Sequence, residues 1–265
     1  ITKLKDFKKL SKILKKQNIS FPDIFLSPKD KTEDMIIKNS YTSGGFGVKK
    51  YKSSLELCND EFYQKYIQGH EYSILFISNK KKEFEIIGVN KIYNKKTTHT
   101  DYCFSGAKSK IKINCEQFEC LRNIINFFVN EYNLIGINGI DFIVAEKIYF
   151  LEINPRITQT CFLYDDIFEN GFVEAHIDSV LENKIFIDKN RPCDIKCFEN
   201  LFSNTNSLII EDLNKFDFVS NIPTINSFIE TGDPICTVNA KSSNRKKVKK
   251  ILLDNISLIK NELKN

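Results

Sequence analysis

Three oxygen-bearing side chains near the middle of the chain have the types and spacing of a divalent-metal site. They lie in the stretch 136–160, whose apolar runs predict two strands joined by a tight turn at 146–147. Glu152 and Asn154 are two residues apart on the second strand, so they project from the same face. An antiparallel pairing brings Asp141, on the first strand, beside them. Two carboxylates and an amide oxygen suit Mg²⁺ or Mn²⁺, which are typically shared with nucleotide phosphates.

Two further features indicate that an anion is bound. Arg156 supplies a planar cation suited to phosphate or carboxylate. Lys38 ends a short predicted strand, and the segment 39–48 that follows has three glycines in four residues, which lets backbone N–H groups turn toward an anion. The segment is not a Walker A loop, because the GK[ST] ending is absent. Taken alone, each feature also fits an ordinary turn or a hairpin with solvent-facing polar residues.

The composition is that of a globular protein, and it sets bounds on function. The 265 residues are 42% hydrophobic and 28% charged, with a net charge of +5 that comes mainly from lysine. Neither an apolar run of membrane-spanning length nor a signal-peptide pattern is present, so we expect a cytoplasmic protein with no membrane or nucleic-acid partner. The eight cysteines are scattered, and no neighbouring histidine completes the pairs Cys115/Cys120 and Cys193/Cys197, which favours reduced thiols over a zinc site.

The arrangement D-F-I, then Y-F-L-E-I-N-P-R, resembles the metal-binding signature of the ATP-grasp ligases. The similarity extends from Lys3 to about Thr160 in the family's order: a first helix, the lysine strand, the Gly-rich loop, a hinge and the metal strands. It implies an α+β ATP-grasp fold in which two lobes with antiparallel sheets grip ATP. We predict a small lobe with the Gly-rich loop at 1–68, a large lobe with the metal site at 69–190, and a part completing the large lobe at 191–265.

The resemblance also assigns roles to individual residues. It implies metal ligation by Asp141, Glu152 and Asn154, phosphate binding and catalysis by Lys38, and contact of Arg156 with the transferring phosphate or the acyl intermediate. The phosphates would be covered by Thr42, Ser43, Gly44, Gly45 and Gly47. The adenine slot would be lined by Gln64, Tyr66 and Ile67, and Glu71 would accept the ribose hydroxyls.

The implied chemistry is activation of a carboxylate by ATP with Mg²⁺ or Mn²⁺, followed by attack of an amine on the acyl phosphate. The expected partners are a small-molecule carboxylate and amine, and a homodimer is a candidate assembly. The segments 218–223 and 232–238 look like the end of the branch that includes the tyramine–glutamate ligase, although a Gly-Asp-Pro turn explains the second equally well. Glutamate and tyramine are therefore the candidate substrates.

Two departures from the family pattern leave alternatives open. Many members carry an arginine just before the first metal acid, where this chain has Asn138 and Gly139; Arg156 or Lys91 could take that duty. We also expect the Rossmann-like domain that precedes many ATP-grasp lobes to be absent or removed, because the chain starts at the first helix. The alternatives are a carboxyphosphate-using ligase of the purine or biotin-carboxylase kind and an ATP-binding module without turnover.

The remaining pattern predicts elements around this centre. Hydrophobic periodicity favours helices over Lys3–Gln17, Cys115–Tyr132 and Ser242–Leu263, and two short helices over Leu163–Gly171 and Phe172–Asn183. The polar stretch Lys95–Lys110 is predicted to be an irregular loop that serves as a substrate contact or a lid.

Overall fold

The computed structural model describes residues 2–25, 27, 34–52, 57–188 and 194–263, without the side chains of residues 2 and 3. The α-helices of this part of the chain are α1 (Thr2–Lys5), α2 (Phe7–Lys16), α3 (Cys115–Tyr132), α4 (Gly171–Leu181) and α5 (Arg245–Glu262). Short 3-10 helices span Gln159–Ile167 and Leu213–Lys215. No helix in these ranges is both long and apolar enough to span a membrane.

The strands form two main antiparallel sheets. In chain order they are β1 (Ile24–Phe25), β2 (Met35–Asn39), β3 (Val48–Lys50), β4 (Glu61–Lys65), β5 (His70–Ser78), β6 (Phe84–Lys95), β7 (Cys103–Lys108), β8 (Gly136–Val144), β9 (Ile148–Asn154), β10 (Ile195–Phe202), β11 (Ser207–Leu208), β12 (Val219–Ser220), β13 (Phe228–Ile229) and β14 (Pro234–Ser242). The small sheet has the order β1-β4-β2-β3, and the large sheet has the order β12-β14-β10-β7-β6-β5-β8-β9. The predicted α+β class with antiparallel sheets is confirmed. The lobe boundaries stay predictions.

The large sheet is covered on both faces, which explains why β5 is apolar along most of its length. Ile74 and Phe76 pack with α3, and Leu75 and Ile77 pack on the opposite face with the 3-10 helix around Tyr164. Alternate residues of a strand point to opposite faces, so both parities must be apolar here. The first helices join the α3 side of this core, since α2 buries its apolar face in the same cluster. The sheet that carries the candidate metal residues is therefore firmly held.

Several element predictions are confirmed and several are wrong in detail. The helix over Cys115–Tyr132 is confirmed, and Asn133 ends it in the left-handed conformation with φ 50°. The predicted first helix is divided, because Asp6 caps α2 by accepting a hydrogen bond from the backbone N–H of Lys9. The helix predicted over Leu163–Gly171 is replaced by the earlier 3-10 helix.

The largest miss concerns the predicted irregular loop at 95–110. It contains β7, which pairs with β6 and β10 inside the large sheet. The strand reads Cys-Phe-Ser-Gly-Ala-Lys, and its small polar residues hide the alternation that identifies a strand. Of the predicted loop, residues 96–102, named here the β6–β7 loop, and residues 109–110 remain outside strands.

Candidate functional site

The hairpin of β8 and β9 places its three polar side chains at one point of a cavity. Asp141 lies directly opposite Glu152, and Gly139 lies opposite Asn154. Directly opposed residues of an antiparallel pair share a face. The register shifts by one residue just after Asp141, which makes Leu151 the extra residue of a β-bulge. The alternation predicted the shared face of Glu152 and Asn154, and the bulge brings Asp141 to that face, so that all three side chains line a cavity of about 360 Å³.

The three side chains contact one another. The Asn154 amide nitrogen donates to Asp141 Oδ2 at 3.0 Å and lies 3.4 Å from Glu152 Oε1. Lys5 Nζ is 3.7 Å from the other Glu152 oxygen, Oε2. Burial, reinforced by the negative charge of Glu152, raises the pKa of Asp141 well above its usual range. A positive charge placed nearby would therefore stabilise the ionised forms of these two carboxyl groups.

The donor set fits a divalent cation. Turning the Asn154 amide by half a rotation replaces its nitrogen by its oxygen, so the site then offers oxygens alone, as Mg²⁺ and Mn²⁺ prefer. Among the described residues, no group of three or more His, Cys, Asp or Glu side chains is arranged to hold a metal. The amide of Asn154 is therefore an integral part of the candidate set with Asp141 and Glu152.

Two cationic side chains also line the cavity. Lys38, on β2 of the small sheet, lies with its ammonium group 5.2 Å from the centre of the Phe7 ring. Burial lowers the pKa of Lys38, while the charges of Glu152 and Asp141 oppose that shift. Arg156 is exposed at the rim, where its guanidinium donates to a neighbouring carbonyl oxygen at 3.2 Å. The cavity thus has carboxylates on one sheet and the ammonium group of a half-buried lysine on the other, an arrangement suited to a metal-bound polyphosphate.

The Gly-rich loop, residues 39–48, covers one side of this cavity. Thr42, Ser43, Gly44 and Gly45 line it, and both glycines have positive φ. Gly47 does not line the cavity. A Cβ there would overlap the Thr42 hydroxyl, so Gly47 allows the loop to fold back on itself. Gly47 is predicted to cover the phosphates, but it is not among the residues that line the cavity.

The hinge residues line the cavity at β4, in the connection to β5 and on β5. Gln64, Tyr66 and Ile67 are all in the lining, and Glu71 accepts a hydrogen bond from Asn94. Gln64 is 1% exposed, and its side-chain nitrogen has no hydrogen-bond partner among the described residues. A buried donor without a partner is costly, so a ligand acceptor placed there would be stabilising. Burial raises the pKa of Glu71.

The structure separates the two residues that stand where the family has an arginine. Gly139 lines the cavity, whereas the amide nitrogen of Asn138 donates away from it to the Gly136 carbonyl oxygen at 2.7 Å. Lys91 does not line the cavity, although its strand neighbour Ile92 does. Of the two candidates to replace the arginine, only Arg156 is in the lining.

Sequence reasoning missed several residues that line or support the site. Lys5 contacts Glu152 although the amphipathic pattern placed it on the solvent side, and no local signal distinguishes it from other lysines of the first helix. Tyr102, in the stretch predicted to contact substrate or form a lid, also lines the cavity, and the other lining residues that sequence reasoning missed include Asn94, Thr158, Gln159 and Thr160. Thr158, Gln159 and Thr160 lie within four residues of Arg156. Their closeness in sequence to the metal signature is the signal that could have identified them.

Solved structures with a similar fold are ligases and carboxylases. The chain superposes on the N5-carboxyaminoimidazole ribonucleotide synthetase of Thermotoga maritima with a TM-score of 0.70 and 14% identity, covering 95% of this chain and 70% of that one. For the L-amino acid ligase of Bacillus licheniformis the values are 0.74, 11%, 95% and 71%. For the biotin carboxylase of Campylobacter jejuni in its β,γ-ATP complex they are 0.71, 13%, 95% and 66%. At these identities the likeness shows the fold alone.

Sequence comparison identifies the family. An uncharacterized protein of Methanocaldococcus jannaschii is 29% identical over 215 residues, which are 78% of this chain and 51% of that protein. The chain therefore spans about half the length of this curated relative. The family model described as the ATP-grasp domain matches residues 4–160, more than half of the chain and all of the candidate site. The chain belongs to the ATP-grasp family.

Proposed function

We propose that this chain is an ATP-dependent ligase that activates a carboxylate as an acyl phosphate for attack by an amine. The observation that carries the proposal is the convergence of Asp141, Glu152 and Asn154 in one cavity with Lys38 and the Gly-rich loop. In the first step a carboxylate oxygen bonds to the γ-phosphorus of ATP and ADP leaves. In the second step an amine bonds to the acyl carbon, phosphate leaves with the electron pair, and the amine loses a proton.

The proposed roles follow from position and charge. Asp141, Glu152 and Asn154 would hold Mg²⁺ or Mn²⁺, which supplies charge neutralisation at the phosphates. Lys38 is already desolvated in the cavity, so its ammonium group costs little further reorganisation when it binds phosphate oxygens. Arg156 at the rim would bind the transferring phosphoryl group or the acyl intermediate.

The nucleoside end of ATP would lie against the hinge. Gln64 offers an unpaired buried donor to a ring nitrogen, and Tyr66 and Ile67 supply flat apolar surface around it. Glu71, held by Asn94, would accept the ribose hydroxyls. Gly44 and Gly45 would let the loop backbone approach the phosphates.

For the substrates we propose glutamate and tyramine as the first pair to test, because residues 218–223 and 232–238 resemble the end of that ligase branch. A second candidate is a carboxyphosphate-using ligase, which is favoured by the fold likeness to a carboxyaminoimidazole ribonucleotide synthetase and a biotin carboxylase. The predicted homodimer is tested by sedimentation of the same sample.

The test measures ADP release with Mg²⁺ or Mn²⁺ across amino acids crossed with amines, glutamate with tyramine included, and with bicarbonate as a separate arm. Release that depends on one acid–amine pair and is lost in Asn154→Ala supports the ligase and identifies both substrates. Release that depends on bicarbonate favours the second candidate. Tight metal-dependent ATP binding with no release under any pair overturns the ligase and leaves an ATP-binding module.

A further inference from the structure

A single buried hydroxyl joins the Gly-rich loop to a distant segment. Thr100, in the β6–β7 loop, is 6% exposed. Its Oγ1 lies 2.7 Å from the Gly45 carbonyl oxygen and 2.9 Å from the Val48 carbonyl oxygen. It also accepts from the backbone N–H of Tyr102 at 3.1 Å. A hydroxyl has one proton, so it donates to one carbonyl at a time, and both choices hold the same loop.

Backbone contacts also hold the Gly-rich loop against this segment, independently of the Thr100 hydroxyl. The N–H of Phe104, at the start of β7, donates to the Gly44 carbonyl oxygen at 3.0 Å. Gly45 packs so closely on the Tyr102 carbonyl group that a Cβ at this position would overlap it. The Phe46 ring lies 6.3 Å from the His99 ring, centre to centre. The Gly-rich loop is thus docked on the β6–β7 loop along three successive residues.

The β6–β7 loop is anchored on its other side by the last third of the chain. Thr98 Oγ1 donates to the Thr231 carbonyl oxygen at 2.9 Å, and His99 Nε2 lies 3.4 Å from Asp233 Oδ1. A Cβ at Gly232 would overlap the Thr98 hydroxyl. Residues 231–233 lie outside the stretch matched by the family model, and they include the Gly-Asp pair of the C-terminal motif.

We propose that Thr100 is a positioning residue that holds the Gly-rich loop over the cavity. The turn at 231–233 supports the β6–β7 loop, which carries Thr100, on its opposite side. The consequence for nucleotide rests on the proposed function: a docked loop presents Gly44 and Gly45 at the cavity without having to be ordered when ATP binds. Thr100 touches neither the candidate metal residues nor the cavity, so it acts through the loop.

The first measurement needs no nucleotide. Amide hydrogen exchange at Phe104 is compared in the wild type, in Thr100→Val, which keeps the shape and loses the hydroxyl, and in Thr100→Ser, which keeps the hydroxyl. Loss of one buried hydrogen bond predicts roughly threefold to tenfold faster exchange at Phe104 in the valine variant, with restoration by serine. The Val129 amide in α3 serves as reference for global stability. Equal Phe104 rates in all three proteins overturn the proposal.

The second measurement is the dissociation constant of a non-hydrolysable ATP analogue with Mg²⁺. It is expected to rise roughly threefold to tenfold in Thr100→Val and to return with serine. Faster Phe104 exchange with an unchanged constant overturns the positioning of nucleotide while the proposed ligase stands. A wild type that binds no analogue contradicts the proposed function instead, and the exchange rates still decide whether Thr100 holds the loop.

A variant on the other side of the β6–β7 loop tests the contact with the turn at 231–233. It also provides a second test if Thr100→Val fails to fold. Thr98→Val removes the hydrogen bond to Thr231 and leaves every contact of the Gly-rich loop in place. Phe104 exchange is expected to accelerate less than in Thr100→Val but measurably. An unchanged Phe104 exchange rate overturns the proposal that the turn at 231–233 supports the β6–β7 loop.

Discussion

The two parts of the candidate site are held by different means. The β8–β9 hairpin fixes Asp141 against Glu152 through neighbouring backbone hydrogen bonds within one short stretch of chain. The Gly-rich loop is fixed by Thr100 and Phe104, more than fifty residues further along the chain. The hairpin is supported by a core packed on α3, whereas the loop exposes Tyr41 and Phe46. The candidate metal residues are therefore held within one local hairpin, whereas the candidate phosphate-covering residues depend on contacts with distant segments of the chain.

This difference predicts different responses to substitution. A change in the hairpin should remove chemistry and leave the rest of the cavity in place, because each side chain is held by strand register. A change at the loop should weaken nucleotide binding in a graded way, because several contacts share the docking. The following experiments separate the two behaviours, beginning with the largest expected effect.

Glu152→Gln should lower turnover by roughly a thousandfold, because a metal ion's stabilisation of developing phosphate charge is worth several kcal/mol. The matched control is Glu146→Gln, an exposed glutamate in the turn of the same hairpin. ADP formation under saturating substrates measures the effect. Equal turnover in the two variants would remove Glu152 from the metal site.

Lys38→Met should lower kcat/KM for ATP by roughly a hundredfold, since it removes a preorganised cation from the phosphates. Its thermal midpoint should change little, because the desolvation cost that methionine removes is opposed by the loss of attraction to Glu152 and Asp141. Lys50→Met, an exposed lysine on the adjacent strand β3, serves as the control. A large fall in stability with unchanged kcat/KM would make Lys38 a structural residue.

Gly45→Ala should weaken binding of an ATP analogue by roughly tenfold, because the added Cβ overlaps the Tyr102 carbonyl group and undocks the loop. Gly44→Ala is the matched comparison, since its φ is also positive and its Cβ would meet only the Phe46 ring, at 3.6 Å. Calorimetric titration gives both constants. Equal losses at the two glycines would show that backbone strain, rather than docking, limits binding.

The smallest effect concerns pH in the metal-free protein. Because burial and Glu152 raise the folded-state pKa of Asp141 above its ordinary value of 3.8, the folded state binds this proton more tightly than the unfolded state. The free energy of unfolding should therefore fall as pH rises from 3.8 to the folded-state pKa of Asp141, by at most about 1.4 kcal/mol per pH unit. Urea titrations of the wild type and Asp141→Asn across that interval isolate this contribution. A wild-type curve with the same slope as the variant would contradict it.

The same contrast explains what could be predicted from the sequence. The shared face of Glu152 and Asn154 follows from a two-residue alternation that is readable locally. Asp141 reaches that face only because of the bulge, since the register next to the turn, continued without a shift, would place it opposite Leu151. The bulge at Leu151 carries no sequence signal, since an apolar residue there reads as ordinary strand. The strand β7 escaped prediction because its small residues show no alternation. The docking of Thr100 on the Gly-rich loop depends on three-dimensional proximity, which no spacing in the sequence encodes.

In the function proposed here, the β8–β9 hairpin holds a divalent cation together with ATP. The most direct test is electron paramagnetic resonance of Mn²⁺ titrated into the protein with a non-hydrolysable ATP analogue, in the wild type and in Asn154→Ala. We expect a protein-bound Mn²⁺ signal that requires the analogue in the wild type and is lost or greatly weakened in the variant. Analogue binding that is equally tight in EDTA, with the same Mn²⁺ spectrum in both proteins, would contradict it.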